Sequence, residues 1–145
     1  VALRYFTVYG PRQRPDLAIH QFTRRIEAGE PIDQFGDGRT RRDYTYVDDI
    51  IQGTVGALKY EGPLFDIFNL GENETISLCD LIAAIENALN KKAVINELPE
   101  QPGDVPLTCA DIGKARRLLG YNPKTSFREG LPKFVEWFRA SRQAG

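Results

Sequence analysis

The run Val1-Ala-Leu-Arg-Tyr-Phe-Thr-Val-Tyr9, stopped by Gly10-Pro11, constrains this chain most. It is short, apolar, and rich in β-branched and aromatic residues. That pattern predicts a strand buried on both faces, as in a parallel sheet. Such a strand needs neighbours. Leu64 to Leu70, closed by Gly71, reads as a second strand of the same kind. The two are expected in one parallel sheet with an open edge, which invites pairing with another chain.

Helical stripes alternate with these strands, which predicts an α/β fold. Pro15-Asp16 opens a helix with Asp16 as its cap. Leu17, Ile19, Phe22 and Ile26 form its stripe and Gly29 ends it. Residues 31–35 read as a short strand, Gly36-Asp37-Gly38 as a turn, and Asp43 to Val47 as another strand. Asp48 or Asp49 then caps a helix carrying Ile51, Val55 and Leu58. Ser77 caps the next, with Leu78, Leu81, Ile82, Ile85 and Leu89 on one face. Ala93 to Leu98 reads as a strand and Pro99 to Pro106 as loop. Asp111 caps a short helix ended by Gly120. Ser126 and Glu129 form a capping box for a last helix with Leu131, Phe134, Val135 and Phe138. Pro132 should kink that helix or delay its start.

The chain has 145 residues, the size of one domain. No stretch of about 18 apolar residues is present, so no membrane span is expected. The chain starts with Val and shows no signal pattern, which suggests a piece of a longer protein. The formal net charge of −1 argues against nucleic acid as the main partner. The distribution is uneven: residues 1–42 hold eight Arg and five acids, a local +3. Arg is suited to bidentate phosphate contacts, although a solvated basic surface is the plainer reading. Cys79 and Cys109 lack metal-type spacing and read as buried or semi-buried thiols of a cytoplasmic protein.

Three clusters stand out. They are Arg4-Tyr-Phe-Thr-Val-Tyr-Gly-Pro-Arg-Gln-Arg-Pro15, then Phe35-Gly-Asp-Gly-Arg-Thr-Arg-Arg-Asp-Tyr-Thr-Tyr-Val-Asp-Asp49, then Gln101-Pro-Gly-Asp-Val-Pro106 with Leu119-Gly-Tyr-Asn-Pro123 beyond. In this order the chain resembles, over essentially its whole length, the C-terminal half of the extended short-chain dehydrogenases that act on nucleotide sugars. Thr7, with Tyr9-Gly-Pro-Arg-Gln-Arg-Pro-Asp16 beyond it, is similar to the UDP-glucuronate 4-epimerases among them.

The resemblance implies a C-terminal substrate-binding lobe plus the last strands of a Rossmann-type parallel sheet, with the N-terminal cofactor part missing. It implies NAD as cofactor of the intact enzyme, a UDP-sugar as substrate, and oxidation and re-reduction at sugar C4. A homodimer is compatible with it. The family's base is the Tyr of a Y-x-x-x-K pair, and its dinucleotide turn is Gly-rich. Neither is found here: no Tyr is followed four positions later by Lys, Gly36-x-Gly38 continues to Arg41, and Gly53 and Gly56 lie within an expected helix. The chain alone is therefore expected to be inactive, with no catalytic residue of its own.

By the same resemblance Arg42 is the nucleotide-phosphate Arg, and Asp104 accepts from the ribose hydroxyls. Asp33, Gln34 and Phe35 form the uracil-edge strand, read through its backbone, with Phe35 packing on the base. Thr7 and Arg14 serve the sugar carboxylate, Asp16 and Leu17 contact the nucleotide, and Phe6 lies beside the nicotinamide. Gln101 stands where relatives carry a second phosphate Arg, and Thr108 where some carry a Tyr. Plainer roles stay open for each. Arg42 could pair with Asp43 or Asp48, Arg14 with Asp16, Asp104 could be a turn residue, and Thr7 or Phe6 strand filler. Arg39 and Arg41 read as solvated turn charges. His20 reads as a surface helix residue and Trp137 as packing. The same lobe would also suit a 4,6-dehydratase or a decarboxylase, and a complete non-catalytic nucleotide-binding module is a third reading.

Overall fold

Val1 to Tyr9 does not form one strand. In the computed structural model, which describes residues 1–143, it splits at Phe6 into β1 (Ala2–Tyr5) and β2 (Thr7–Tyr9). β1 pairs in parallel with β6 (Ile67–Leu70), Leu3 opposite Phe68. β2 pairs in parallel with β5 (Tyr44–Tyr46), Tyr9 opposite Tyr46. The expected parallel pairing of the two apolar runs is therefore present for β1 and β6, and β1 has no other strand neighbour among the described residues. The expected burial on both faces is not: Arg4 and Tyr5 are exposed, and Leu64 and Phe65 lie outside β6 in solvent.

Two further pairs complete the β-structure. β3 (Ile32–Phe35) runs parallel to β8 (Ile95–Leu98), and β4 (Arg41–Arg42) runs antiparallel to β7 (Ile76–Ser77). The helices are α1 (Ala18–Ala28), α2 (Val47–Leu58), α3 (Leu78–Leu89), α4 (Gly113–Leu119) and α5 (Phe127–Gln143). None of these is long and apolar enough to cross a membrane.

Local signals account for some helix ends and fail at others. Ser77 accepts from Asp80 N (3.0 Å), and the Ser126 backbone donates to Glu129 Oε2 (3.1 Å), as the capping patterns require. Asp111 is not the cap of α4, since Ile112 holds that position without a side-chain cap; Asp111 Oδ1 accepts from Gly113 N (2.9 Å) one residue ahead of it. Asp16 does not cap α1, because its carboxylate is taken by Arg14; Leu17 is the cap position. Neither Asp48 nor Asp49 caps α2, which starts at Val47 after Tyr46. α5 begins at Phe127 and includes Pro132, so the proline does not delay its start.

Two apolar cores result. The first packs α1, α3 and α5 around Tyr9, Ile32, Tyr44 and Tyr46. The second packs Ile50 of α2 with Phe68 and Leu70 of β6, Ala115 and Leu119 of α4, and Tyr121. α2 does not bury the face read from its sequence. Ile51, Val55 and Leu58 are exposed, and Asp49, Ile50 and Gly53 are buried. Cys79 and Cys109 are also exposed rather than buried. His20 is half-buried: its Nδ1 bonds Gln13 O (2.9 Å) and its ring sits edge-on to Phe134, Trp137 and Phe138. Arg41 is not simply solvated, since it donates to Thr75 Oγ1 (2.9 Å) and Thr75 O (2.6 Å).

Asp43 stitches the two cores together. It is fully buried, and its carboxylate accepts four hydrogen bonds. Oδ1 takes Thr45 Oγ1 (2.9 Å) and Glu72 N (2.8 Å); Oδ2 takes Asn73 N (3.1 Å) and Ala110 N (3.0 Å). Gly71 permits this approach, because a Cβ there would stand 2.8 Å from Asp43 Oδ2 and 2.4 Å from the Ala110 side chain. Asp49 similarly holds Lys124 N and Thr125 N, each at 3.0 Å.

Two predictions concern this acidic region. Asp43→Asn turns an amide donor toward backbone donors, and leaves buried N–H groups without an acceptor. It should cost about 3–5 kcal/mol, read as a lower urea midpoint at unchanged slope. Glu72 is the opposite case. Burial, then the nearby Asp49, Glu74 and Asp43 carboxylates, push its pKa up to about 7 against a weaker pull from Arg116. A carboxyl raised in the fold contributes stability that is fully present below about 4.5 and is lost as pH rises through about 7. Glu72→Gln should flatten that decline and raise the urea midpoint at pH 8; an unchanged pH profile would refute the assignment.

Candidate functional site

α1 turns Ala18, Gln21, Phe22 and Arg25 toward β3, the i, i+3, i+4, i+7 spacing of one helix face. β3 uses only one edge. Ile32 N donates to Val94 O (2.8 Å) and Gly36 N to Leu98 O (2.9 Å). Alternation in a parallel ladder then turns the N–H and C=O groups of Asp33 and Phe35 away from β8, and no second strand takes them among the described residues. A cavity of about 540 Å³ lies between helix and strand. Asp16, Thr40, Arg42, Tyr44, Gln101 and Asp104 also line it.

Arg42 reaches this cavity from β4, where it stands opposite Ile76. Its Nη1 donates to Arg41 O (2.8 Å), and its Nη2 pairs with Asp104. Asp104 is held by a turn, with Gly103 at φ +85° and Asp104 N donating to Gln101 O (3.1 Å). Neither Asp43 nor Asp48 takes Arg42.

A second cavity, of about 710 Å³, is lined by Arg4, Tyr5, Phe6, Thr7, Val8, Arg14, Leu17 and Thr108. Arg14 forks onto Asp16, Nη2 to Oδ2 at 2.7 Å and Nε to Oδ1 at 3.1 Å. That pairing holds the Asp16 carboxyl below the usual range. It also joins the cavities, since Asp16 lines the first and Arg14 the second. Thr108 N donates to Arg41 O (3.1 Å), the same carbonyl that accepts from Arg42 Nη1 of the first cavity.

Nine of the ten substrate residues expected from sequence, with Phe6, thus line one of two linked cavities. Gln34 is the exception. Its side chain is buried on the other face of β3 and its Nε2 donates to Gly36 O (3.4 Å). Sequence reasoning missed Gln21, Phe22 and Arg25 as lining groups. The signal is present, because these three and Ala18 share one helical face, but the sequence reading takes only Phe22 of it, as part of the apolar stripe.

Gly36, Gly38, Gly53 and Gly56, the closely spaced glycines, are tightly packed. A Cβ on Gly38 would stand 2.3 Å from Cys79 Sγ, and one on Gly36 2.8 Å from Glu100 Cγ. Gly53 is filled against Tyr121 at 2.6 Å and Gly56 against the Leu119 carbonyl at 2.5 Å. These four are side-chain and helix packing positions.

The family profile described as GDP-mannose 4,6 dehydratase matches residues 1–134. The chain belongs to this family. Among relatives of this family member, a UDP-glucuronate 4-epimerase of Thermodesulfobacterium geofontis is 45% identical over 136 residues, covering 93% of this chain and 42% of its own length. UDP-glucuronate 4-epimerase 2 of Arabidopsis thaliana is 42% identical over 153 residues, covering 94% of this chain and 35% of its own. The crystal structure of a Bacillus cereus UDP-glucuronic acid 4-epimerase in complex with UDP-glucuronic acid and NAD superposes with a TM-score of 0.89 at 42% identity, over 96% of this chain and 45% of that one. The chain therefore spans less than half the length of the relatives it matches.

The Arg42–Asp104 pair is partly open to solvent, at 22% and 42% side-chain exposure. Arg42→Ala and Asp104→Ala should each shift unfolding by no more than about 1 kcal/mol in urea titrations, the range of surface pairs. A larger loss would make the pair a structural element rather than a ligand-facing one.

Proposed function

We propose that this chain is the nucleotide-sugar-binding portion of a UDP-glucuronate 4-epimerase. The observation that carries the reading is the arrangement of the two linked cavities. One gathers Arg42, Asp104, Asp33 and Phe35, and the other gathers Phe6, Thr7 and Arg14. In this reading Arg42 binds the pyrophosphate and Asp104 accepts from the ribose hydroxyls. The edge of β3 takes the base. Thr7 and Arg14 hold the sugar carboxylate, with Asp16 and Leu17 between the two halves. Gln101 gives a neutral contact where a second cation would strengthen phosphate pairing.

NAD belongs to the intact enzyme. Gly36, Gly38, Gly53 and Gly56 are packed and no Y-x-x-x-K pair occurs, so the chain alone is proposed to bind substrate without turning it over. A cytoplasmic setting and a homodimer belong to the same reading. The family description favours a 4,6-dehydratase as second reading, whereas the names of the relatives favour the epimerase.

Calorimetric titration with UDP-glucuronate and UDP-glucose tests the proposal. Arg42→Ala should weaken both sugars alike, since both carry the pyrophosphate. Thr7→Val keeps the shape and removes the hydroxyl. If it loses one bond to a carboxylate, the cost is about 1.5–3 kcal/mol, or roughly 10–150-fold in affinity for UDP-glucuronate. UDP-glucose should lose little. Equal losses for Thr7→Val would remove Thr7 from the carboxylate, and no binding of either sugar would overturn the reading.

A further inference from the structure

The free edge of β3 offers the backbone N–H and C=O groups of Asp33 and Phe35. A peptide edge carries donors and acceptors in alternation, so a flat base of either hydrogen-bonding polarity can find a register on it. Choosing between bases needs a group of fixed polarity beside that edge. Arg25 is such a group, because a guanidinium only donates. It stands on the cavity face of α1, half-buried, across from the strand. Its Nη1 donates to Pro31 O (3.1 Å) and to Asp33 Oδ2 (3.3 Å). Asp33 Oδ1 is in turn held by Asn96 Nδ2 (2.8 Å). The guanidinium is thereby positioned through one nitrogen. Its Nη2 and Nε make no hydrogen bond among the described residues.

We propose that Arg25 is a specificity-determining residue, selecting a pyrimidine with a carbonyl at C4 (uracil) over one with an amine there (cytosine). The inference rests on the nucleotide-sugar reading and adds a side chain to the backbone edge. Uracil O4 accepts from Arg25 while N3–H donates to a backbone carbonyl of the edge. Cytosine would set its N4 amine against a fixed cationic donor, and shifting register along the edge would not remove that clash. Phe22 and Phe35 supply apolar surface in the same cavity.

The test is calorimetric binding of UDP and CDP to the 145-residue chain, with far-UV circular dichroism as a check of folding. The unaltered chain should prefer UDP by about tenfold or more. Arg25→Met should lose UDP affinity by about tenfold and leave CDP nearly unchanged, closing the gap. Arg25→Lys keeps a donor-only cation and should retain most of the preference. Arg25→Gln, whose amide offers both polarities, should narrow it like the Met variant and replaces that variant if it does not fold. A UDP preference that survives in both neutral variants overturns the proposal. So does an equal loss of UDP and CDP, which would mark Arg25 as a wall of the pocket only. Absence of binding by the unaltered chain would instead overturn the nucleotide-sugar reading itself.

Discussion

The carboxylate of Asp43 organises this chain. It follows Arg42 directly and precedes β5, and it gathers donors from β5, from the turn after β6 and from the segment before α4. Those segments belong to different apolar cores, so one buried anion fixes how the cores meet. It also fixes where the neighbouring Arg42 emerges. Four donors on two oxygens satisfy the group well enough for it to be buried without a cation. The position of the candidate phosphate-binding guanidinium is thus set by a residue that need not touch a ligand.

Much of the fold was legible in the sequence where a local rule decides the outcome. Ser77 and Ser126 cap as their spacing implies, Gly29 and Gly120 end helices in the left-handed region, and the two apolar runs pair in parallel. The missed helix caps are one kind of failure. Asp16, Asp48 and Asp49 sit where caps belong, yet their carboxylates have other roles or stand within the first turn. Asp16 is taken by Arg14 two residues before it, whereas the partners of Asp49 lie 75 and 76 residues away and leave no trace in its sequence neighbourhood. α2 fails for another reason: its inner face contains Gly53 and Asp49, so the apolar stripe of Ile51, Val55 and Leu58 marks the outer face.

The site was legible as a set of motif positions and much less as a surface. Thr7, Arg14, Arg42 and Asp104 are separated by up to 97 residues, yet line two linked cavities. What sequence could not supply was the pairing among them. Arg42 takes Asp104, a residue of a loop 62 positions away, rather than the acids beside it. Gln34 shows the converse, since strand alternation sends its side chain into the core while its neighbours face the cavity.

The pairing has a consequence for how a ligand arrives. Arg14–Asp16, Arg25–Asp33 and Arg42–Asp104 are three ion pairs lining the two cavities, each formally neutral. In the proposed reading an approaching diphosphate meets these three dipoles, whose field falls off faster than that of a lone charge, and Arg4, which lines the second cavity with no ion pair among the described residues. Arg4 is the one lining guanidinium outside an ion pair among the described residues, so long-range steering falls to a single charge. On the proposed reading most recognition is deferred to contact, where the ligand's phosphate and ribose groups each replace one half of an existing pair. Such a site discriminates by exchange of partners at close range, and weakly attracts anions that lack the rest of the ligand.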